Sequence, residues 1–195
     1  MKKMIVLAAL AACAVGAVQA QESPWMVRFR AVNLDMTNKD ATGLGLTVDN
    51  KVIPEVDVSY FFNKNVAAEL ILTVPQKQTV SMNGADIGTF KHLPPTLLLQ
   101  YHFTGLNGYK PYVGAGINYT RISSVDLLSG GANLDGHSWG GALQAGVDIP
   151  LDKNWSLNFD IKKLYIQSDV YVGGVNKGAL KLDPLAVGVG VGYRF

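Results

Sequence analysis

Three neighbouring residues, Asp135, His137 and Ser138, carry the side chains of an acid–base and nucleophile set. Such side chains drive acyl transfer when a base activates the hydroxyl and a third group orients that base. The required geometry brings side chains together from separate segments, whereas these three stand side by side in a glycine-rich stretch. No orienting partner is visible beside them. We therefore predict a protein that is not an enzyme, with this set as the catalytic alternative.

Phosphate and metal chemistry have equally little support. Gly188, Gly190 and Gly192 alternate with valine, but no helix follows them as a phosphate-binding loop requires. The three histidines are scattered, and the single cysteine, Cys13, lies in the N-terminal apolar run. His92 lies in or beside a predicted strand, where it serves packing or an interior plug. We expect no cofactor and no metal.

The C-terminal stretch, residues 185–195, has two different faces. One face carries Leu185, Val187, Val189, Val191, Tyr193 and Phe195, and the other carries Ala186, the three glycines and Arg194. A strand directs alternate side chains to opposite faces, and about 9–11 tilted residues cross a bilayer. Tyr193 and Phe195 resemble the terminal signal by which outer-membrane barrels are recognised for assembly. The alternative is a strand of a soluble sandwich.

The N-terminus has the pattern of a secretory leader. Two lysines precede an apolar run over 4–18, and a small-x-small site ends at Ala20. We predict a cleaved signal peptide over 1–20 and a single domain over 21–195; the alternative is a lipoprotein site at Cys13. The chain has 17 Lys and Arg and 15 Asp and Glu, so removing the two leader lysines leaves it formally neutral. That balance argues against a nucleic-acid partner.

Eight alternating segments follow the leader, and the connections between them alternate in length. The predicted outer loops are 35–50, 75–90, 121–138 and 172–178, and the predicted short turns are 63–65, 104–110 and 150–154. After residue 20 no apolar run is long enough for a spanning helix. The pattern predicts an all-β fold, an eight-stranded antiparallel up-and-down transmembrane β-barrel.

Charged residues of both signs fall on the inward face near the predicted periplasmic half. We expect them to pair across a narrow lumen, because buried charges need partners and eight strands leave little interior space. The predicted lumen plug consists of Arg28, Arg30, Asp57, Glu69, His102, Asp148, Asp160, Lys162 and Arg194.

The inward residues near the outer half are aliphatic instead. The predicted lining of a hydrophobic channel is Val32, Leu34, Ile53, Ile71, Leu98, Ile122, Leu164, Ile166, Leu180 and Leu182. A concave apolar pocket at a barrel mouth suits a small hydrophobic ligand. The alternative is ordinary packing of the outer loops over the barrel end.

Three prolines mark a lateral seam between the third and fourth strands. Pro75 lies at the outer end of one strand, and Pro94 and Pro95 lie at the outer end of the other. Proline donates no ladder hydrogen bond, so the two strands should be weakly joined there. We expect a lateral exit into the membrane at this seam; the alternative is a bend without transport.

Two internal segments and the C-terminus resemble hallmark segments of the OmpW/AlkL family. They are KHLPPT at 91–96, KPYVGAGINYT at 110–120, LDP at 182–184 and GYRF at 192–195. The resemblance implies an eight-stranded outer-membrane barrel with a hydrophobic channel for uptake of small apolar molecules. It also implies that a bacteriocin could use the protein as a receptor, because some family members serve in that way.

The expected location is therefore the outer membrane of a Gram-negative bacterium, reached by Sec-type export. The expected partners are outer-membrane lipid, small hydrophobic solutes and the barrel-assembly machinery, with the protein as a monomer. The alternative function is a structural or adhesive barrel that acts as a receptor for phage, bacteriocin or host without transport.

Overall fold

The structure is a computed structural model that describes residues 23–106 and 108–195. The predicted leader lies outside those residues, and so do its cleavage site at Ala20 and the alternative lipidation site at Cys13. Among the described residues, no helix has the length and apolar character needed to cross a membrane.

The described residues form fifteen strands and one short 3-10 helix, Leu128–Gly130. In chain order the strands are β1 (Trp25–Asp35), β2 (Lys39–Asp40), β3 (Leu46–Val48), β4 (Lys51–Phe61), β5 (Val66–Thr73), β6 (Gln76–Met82), β7 (Ala85–Leu93), β8 (Thr96–His102), β9 (Lys110–Leu127), β10 (Ala132–Leu134), β11 (His137–Pro150), β12 (Trp155–Leu164), β13 (Gln167–Val172), β14 (Val175–Lys181) and β15 (Leu185–Arg194).

Eight of these strands close into a ring in the order β1, β4, β5, β8, β9, β11, β12 and β15. Every neighbouring pair is antiparallel, and β15 pairs back to β1. Closure leaves no strand edge with unpaired backbone groups, which hydrocarbon would not tolerate. The predicted eight-stranded antiparallel barrel is confirmed.

Alternate residues of the barrel strands face outward and inward. On β1, Phe29 is 55% exposed, whereas Arg28 and Arg30 beside it are 0% and 4% exposed. A shift of one residue would place both guanidinium groups in hydrocarbon, at about 2–4 kcal/mol each near the midplane. This cost holds β1 in the orientation that the sequence predicts.

Two lumen-facing glycines allow neighbouring strands to approach closely. A Cβ built on Gly190 would lie 2.0 Å from the carbonyl oxygen of Phe29, and one on Gly116 would lie 1.9 Å from that of Leu97. Both separations are shorter than a real Cβ contact allows. The small residues of the C-terminal stretch therefore serve the close packing of a strongly coiled barrel wall.

The four stretches predicted as outer loops contain strands, and two of them lie in β-hairpins that each include a register shift. β6 and β7 are joined at Asn83 and Gly84, with φ of 51° and 84°, and β13 and β14 at Gly173 and Gly174, with φ of 57° and 79°. Positive φ at both central residues matches the right-handed twist of the flanking strands. The predicted outer connections are therefore partly strand, and Asn-Gly and Gly-Gly are the sequence signals of the two hairpin turns.

Aromatic side chains gather at both ends of the barrel wall. Near the end with short turns, the ring centroids of Trp155 and Tyr193 lie 4.9 Å apart, and those of Tyr193 and Phe195 lie 5.1 Å apart. Near the end with hairpins, Tyr119 and Trp139 lie 4.7 Å apart. Such aromatic belts are typical of the two interfaces of a membrane-spanning barrel.

Candidate functional site

The lower half of the lumen is closed by a network of ion pairs centred on two arginines of β1. Arg28 is fully buried and binds Asp148 through two bonds, Nε to Oδ1 at 3.1 Å and Nη2 to Oδ2 at 2.7 Å. Its Nη1 contacts Asp57 Oδ1 at 3.1 Å and donates to Ser59 Oγ at 2.8 Å. The paired fork geometry fixes the guanidinium plane across the barrel.

Arg30 lies one step higher on the same face of β1. Its Nη1 contacts Glu55 Oε1 at 2.8 Å and Asp57 Oδ2 at 3.0 Å, and its Nη2 donates to Glu69 Oε1 at 2.9 Å. Nε donates to Asn158 Oδ1 at 2.7 Å. The two arginines therefore share Asp57, which joins their contacts into one network.

Lys162 adds a third cation from β12, which is separated from β1 by β15. Its Nζ contacts Glu55 Oε1 at 2.8 Å and Asp160 Oδ1 at 2.5 Å. Tyr112 donates its hydroxyl to Asp160 Oδ2 at 2.8 Å. We call Arg28, Arg30, Lys162, Glu55, Asp57, Glu69, Asp148 and Asp160 the ionic plug. Each of its cations contacts at least two carboxylates, so the plug offers no unpaired cation to an anionic solute.

Two of the predicted plug residues lie beside this network. His102 is buried between the rings of Phe61 and Tyr112, and its Nε2 lies 3.0 Å from Gln100 Oε1. Arg194 lies at the periplasmic end, where its guanidinium stacks 4.2 Å from the Phe61 ring centroid and Nε donates to the Ser23 carbonyl.

Sequence reasoning left Glu55 and Tyr112 out of the plug. The Glu55 position faces Arg30 only through the β1–β4 register, and Tyr112 reaches Asp160 across the lumen. The sequence signal for both residues is their position in the alternation of their strands, which directs them toward the lumen.

The upper half of the lumen is filled by aliphatic side chains. All ten predicted channel residues are at most 5% exposed and belong to one packed cluster. The outer strands contribute further members, among them Leu46, Val48, Val80, Phe90, Leu127 and Leu134. We call this set the upper cluster. It lies directly above the ionic plug, so the lumen changes from apolar to charged along its axis.

Two polar side chains lie within this apolar region. Gln78 is 0% exposed, and neither its Nε2 nor its Oε1 has a hydrogen-bond partner. His92 is 1% exposed, and its Nδ1 likewise has no partner. Both belong to the β6–β7 hairpin beyond the spanning strands, where burial lowers the pKa of His92 to about 4 and Lys51 acts in the same direction. His92 is therefore neutral at pH 7.

The predicted seam coincides with an interruption of the strand ladder. The β5–β8 register ends at Ile71 opposite Thr96, and the β6–β7 register begins at Gln76 opposite His92. Between these pairs, 72–75 faces 93–95 without a ladder pair. The carbonyl oxygen of Pro95 accepts a bond from the Tyr119 N–H at 3.1 Å, so it is directed toward β9 and away from β5.

A second interruption, at 182–184, is joined by hydrogen bonds. Leu164 donates its backbone N–H to the Pro184 carbonyl at 3.1 Å, and Leu182 donates to the Ile166 carbonyl at 2.9 Å. Ile166 also donates to Asp183 Oδ1 at 2.9 Å. Among the described residues, 72–75 and 93–95 have no equivalent backbone bonds between them. The proline seam is therefore the weaker of these two interruptions.

Cavities lie at both ends of the barrel. The cavity below the plug measures about 330 Å³ and is lined by residues such as Met26, His102 and Trp155. The cavity at the outer end measures about 490 Å³ and is lined mostly by polar residues, among them Asn38 and Asp86. The ionic plug and the upper cluster fill the lumen between these cavities with buried side chains.

The candidate catalytic set does not converge. His137 is exposed, whereas Ser138 next to it on β11 is buried and accepts a hydrogen bond from the Gln167 N–H at 3.1 Å. Neighbouring strand residues point to opposite faces of the wall, so the imidazole and the hydroxyl are directed apart.

A closed eight-stranded barrel with an apolar exterior, aromatic belts and a paired, charged interior defines an integral outer-membrane β-barrel. This class of protein is generally non-enzymatic. The particular protein belongs to the OmpW family, whose family model matches residues 16–195. The resemblance predicted from the sequence is thereby confirmed.

Similar proteins agree with this assignment and with an outer-membrane location. The chain is 41% identical to uncharacterized outer-membrane protein y4mB of Sinorhizobium fredii, over 91% of this chain and 82% of that protein. It is 30% identical to dibenzothiophene metabolism operon protein PahQ of Pseudomonas aeruginosa, over 94% of each. The crystal structure of OprG from Pseudomonas aeruginosa superposes with a TM-score of 0.77 at 25% identity, over 92% of this chain and 99% of that one.

Proposed function

We propose that this barrel takes up small hydrophobic molecules through its outer mouth and releases them sideways into the membrane. The proposal rests on the change from aliphatic to charged side chains along the axis of the lumen. An apolar solute is favourably solvated among the aliphatic side chains of the upper cluster. It would have to separate buried ion pairs to continue downward, at a cost of several kcal/mol.

The seam provides the alternative route. Opening the wall between 72–75 and 93–95 breaks no ladder pair, because the registers on either side stop at Ile71 and Gln76. Elsewhere in the wall, each opened residue pair would lose backbone hydrogen bonds in hydrocarbon. Uptake requires the buried side chains of the upper cluster to move aside for the solute. The name of PahQ connects that relative to dibenzothiophene metabolism, which supports an aromatic, apolar class of solute.

A disulfide across the seam tests the lateral exit. In the variant Leu72→Cys/Pro95→Cys, both new side chains lie on the lipid-facing side at the interruption. The matched control is Leu70→Cys/Leu97→Cys, a directly opposed pair of the same strands within the continuous ladder. We expect oxidation to stop uptake of dibenzothiophene by cells carrying the seam variant, and reduction to restore it, with the control transporting in both states. Undiminished uptake by the oxidised seam variant would contradict the lateral exit.

A further inference from the structure

A buried polar pair, Gln78 and His92, borders the upper cluster and is not fully satisfied by hydrogen bonds within the protein. The amide of Gln78 has neither its donor nor its acceptor satisfied, and Nδ1 of His92 is unpartnered. A buried polar group without a partner destabilises the folded state relative to an apolar side chain of the same size. A pair of such groups at one place therefore needs a partner that the protein itself does not supply.

The two side chains lie within reach of one group. Gln78 stands opposite Phe90 and Gln76 stands opposite His92 in the β6–β7 ladder, so Gln78 and His92 are diagonal neighbours on the inward face. The Phe90 and His92 rings lie 6.1 Å apart. Phe90 belongs to the upper cluster, so the polar pair borders the apolar region directly.

A second buried glutamine on the same face of β6, Gln76, has a hydrogen-bond partner for its amide. Its side chain is also buried, but Nε2 donates to the Val74 carbonyl at 2.9 Å. Gln76 and Gln78 thus share a strand, a face and a chemistry, and they differ in whether the amide is satisfied.

The charges around the pair indicate a neutral partner. Lys51 and Asp49 are the charged groups that act on His92. Lys51 Nζ bonds the Lys77 carbonyl at 2.5 Å, and Asp49 Oδ1 accepts the Thr79 N–H at 2.7 Å. Below, every cation of the ionic plug already contacts carboxylates. An ionised ligand would lose its hydration in an apolar region, whereas an uncharged hydrogen-bonding group would be satisfied there at a much smaller desolvation cost.

We propose that Gln78 and His92 bind the polar group of a neutral amphiphile, such as an alcohol or a phenol, whose apolar body lies in the upper cluster. The inference rests on the proposed function and narrows its substrate class. The amide supplies an NH2 group that donates and a carbonyl oxygen that accepts, and the imidazole supplies a further nitrogen. A hydroxyl, which both donates and accepts, is matched by this set, whereas a plain hydrocarbon leaves the set unsatisfied.

The test compares 1-octanol with octane, two probes that share an apolar chain and differ in the hydroxyl. The protein in lipid nanodiscs is titrated while NMR follows the Gln78 side-chain amide and the methyl groups of Leu98 and Ile122. We expect both probes to shift the methyl signals and only octanol to shift the amide. Gln78→Leu should lower the preference for octanol about tenfold, and Gln76→Leu should keep it.

The outcomes separate this inference from the function on which it rests. Equal affinity for the two probes, with Gln78→Leu unchanged, would mean that the pair holds only water and would overturn the inference while uptake stands. Absence of methyl shifts with either probe would overturn both. If Gln78→Leu does not assemble, the test is the NMR signal of the Gln78 side-chain amide in the wild-type protein. An amide signal that does not shift with octanol would overturn the inference.

Discussion

Arg28 and Asp148, 120 residues apart in the chain, form a two-pronged ion pair across the lumen, with Nε–Oδ1 and Nη2–Oδ2 distances of 3.1 and 2.7 Å. Arg28 comes from β1 and Asp148 from β11, which are not neighbours in the barrel wall. The pair therefore joins distant parts of the ring and closes the lumen at the same point. This one contact therefore contributes both to the stability of the ring and to the closure of the floor.

Asp148→Asn should destabilise the barrel by about 3–5 kcal/mol, because it leaves the Arg28 guanidinium buried without one of its carboxylates. Urea unfolding in phospholipid vesicles measures the loss. The control Asp126→Asn changes an exposed carboxylate near the outer end and should stay within about 0.5 kcal/mol of wild type. A similar small effect for both variants would mean that the pair does not hold the ring.

Gly190→Ala should reduce barrel stability by about 1–3 kcal/mol, because the new methyl group would meet the Phe29 carbonyl and force the strands apart. Gly141→Ala is the control, since a Cβ there would have no neighbour closer than 3.7 Å. Heat-modifiable mobility in gel electrophoresis reports the folded fraction of each variant. Equal folding of the two variants would show that β15 relaxes freely away from β1.

The stability of the outer hairpin should depend on pH through His92. Its folded-state pKa of about 4 lies below the ordinary value of 6.5, so the unfolded chain binds the proton more readily. Above pH 6.5 His92 is neutral in both states and the free energy of unfolding is at its full value. As pH falls from 6.5 toward 4, the unfolded chain takes up the proton first and the free energy of unfolding decreases. At pH 5 the loss should be about 2 kcal/mol relative to pH 7.5.

His92→Phe should remove that part of the pH dependence, measured as unfolding free energy at pH 5 and 7.5. His137→Asn, at an exposed imidazole of β11, should leave the dependence as in wild type. Identical pH profiles for wild type and His92→Phe would mean that folding does not shift the pKa of His92, and would contradict the expected pH dependence.

Tyr193 and Phe195 are proposed to form the signal for barrel assembly. Their rings meet edge to face at the periplasmic rim, and Phe195 is 53% exposed, so its side chain is available to the assembly machinery. Phe195→Ala should lower the amount of folded protein in the outer membrane several-fold without changing its stability once folded. Phe103→Ala, another exposed periplasmic aromatic residue, should assemble normally. Equal amounts of folded Phe195→Ala and Phe103→Ala in the outer membrane would contradict a role of Phe195 in assembly.

Part of the lumen could be predicted from parity alone. Arg28, Arg30 and Lys162 were placed inside because the lipid face of the same strands is apolar, and all three are buried. Alternation along a strand does not show how high in the lumen a residue lies or which residue it contacts, so it does not predict that Glu55 and Tyr112 belong to the plug network. Gln78 lies in a stretch that the sequence predicts as a loop, and a loop has no alternation of faces from which its inward position could be predicted.

The sequence by itself determined which residues face lipid and which face the lumen, because a strand alternates with period two and hydrocarbon penalises every error. It also determined the number of barrel strands through the alternation of long and short connections. Only the tertiary structure decided which carboxylate meets which cation, that the outer segments fold as hairpins over the mouth, and that Gln78 and His92 remain unsatisfied among aliphatic side chains. These features depend on closure of the ring. Contacts across the lumen join residues that are far apart in the chain, and the local alternation of side chains does not show which distant residues will meet.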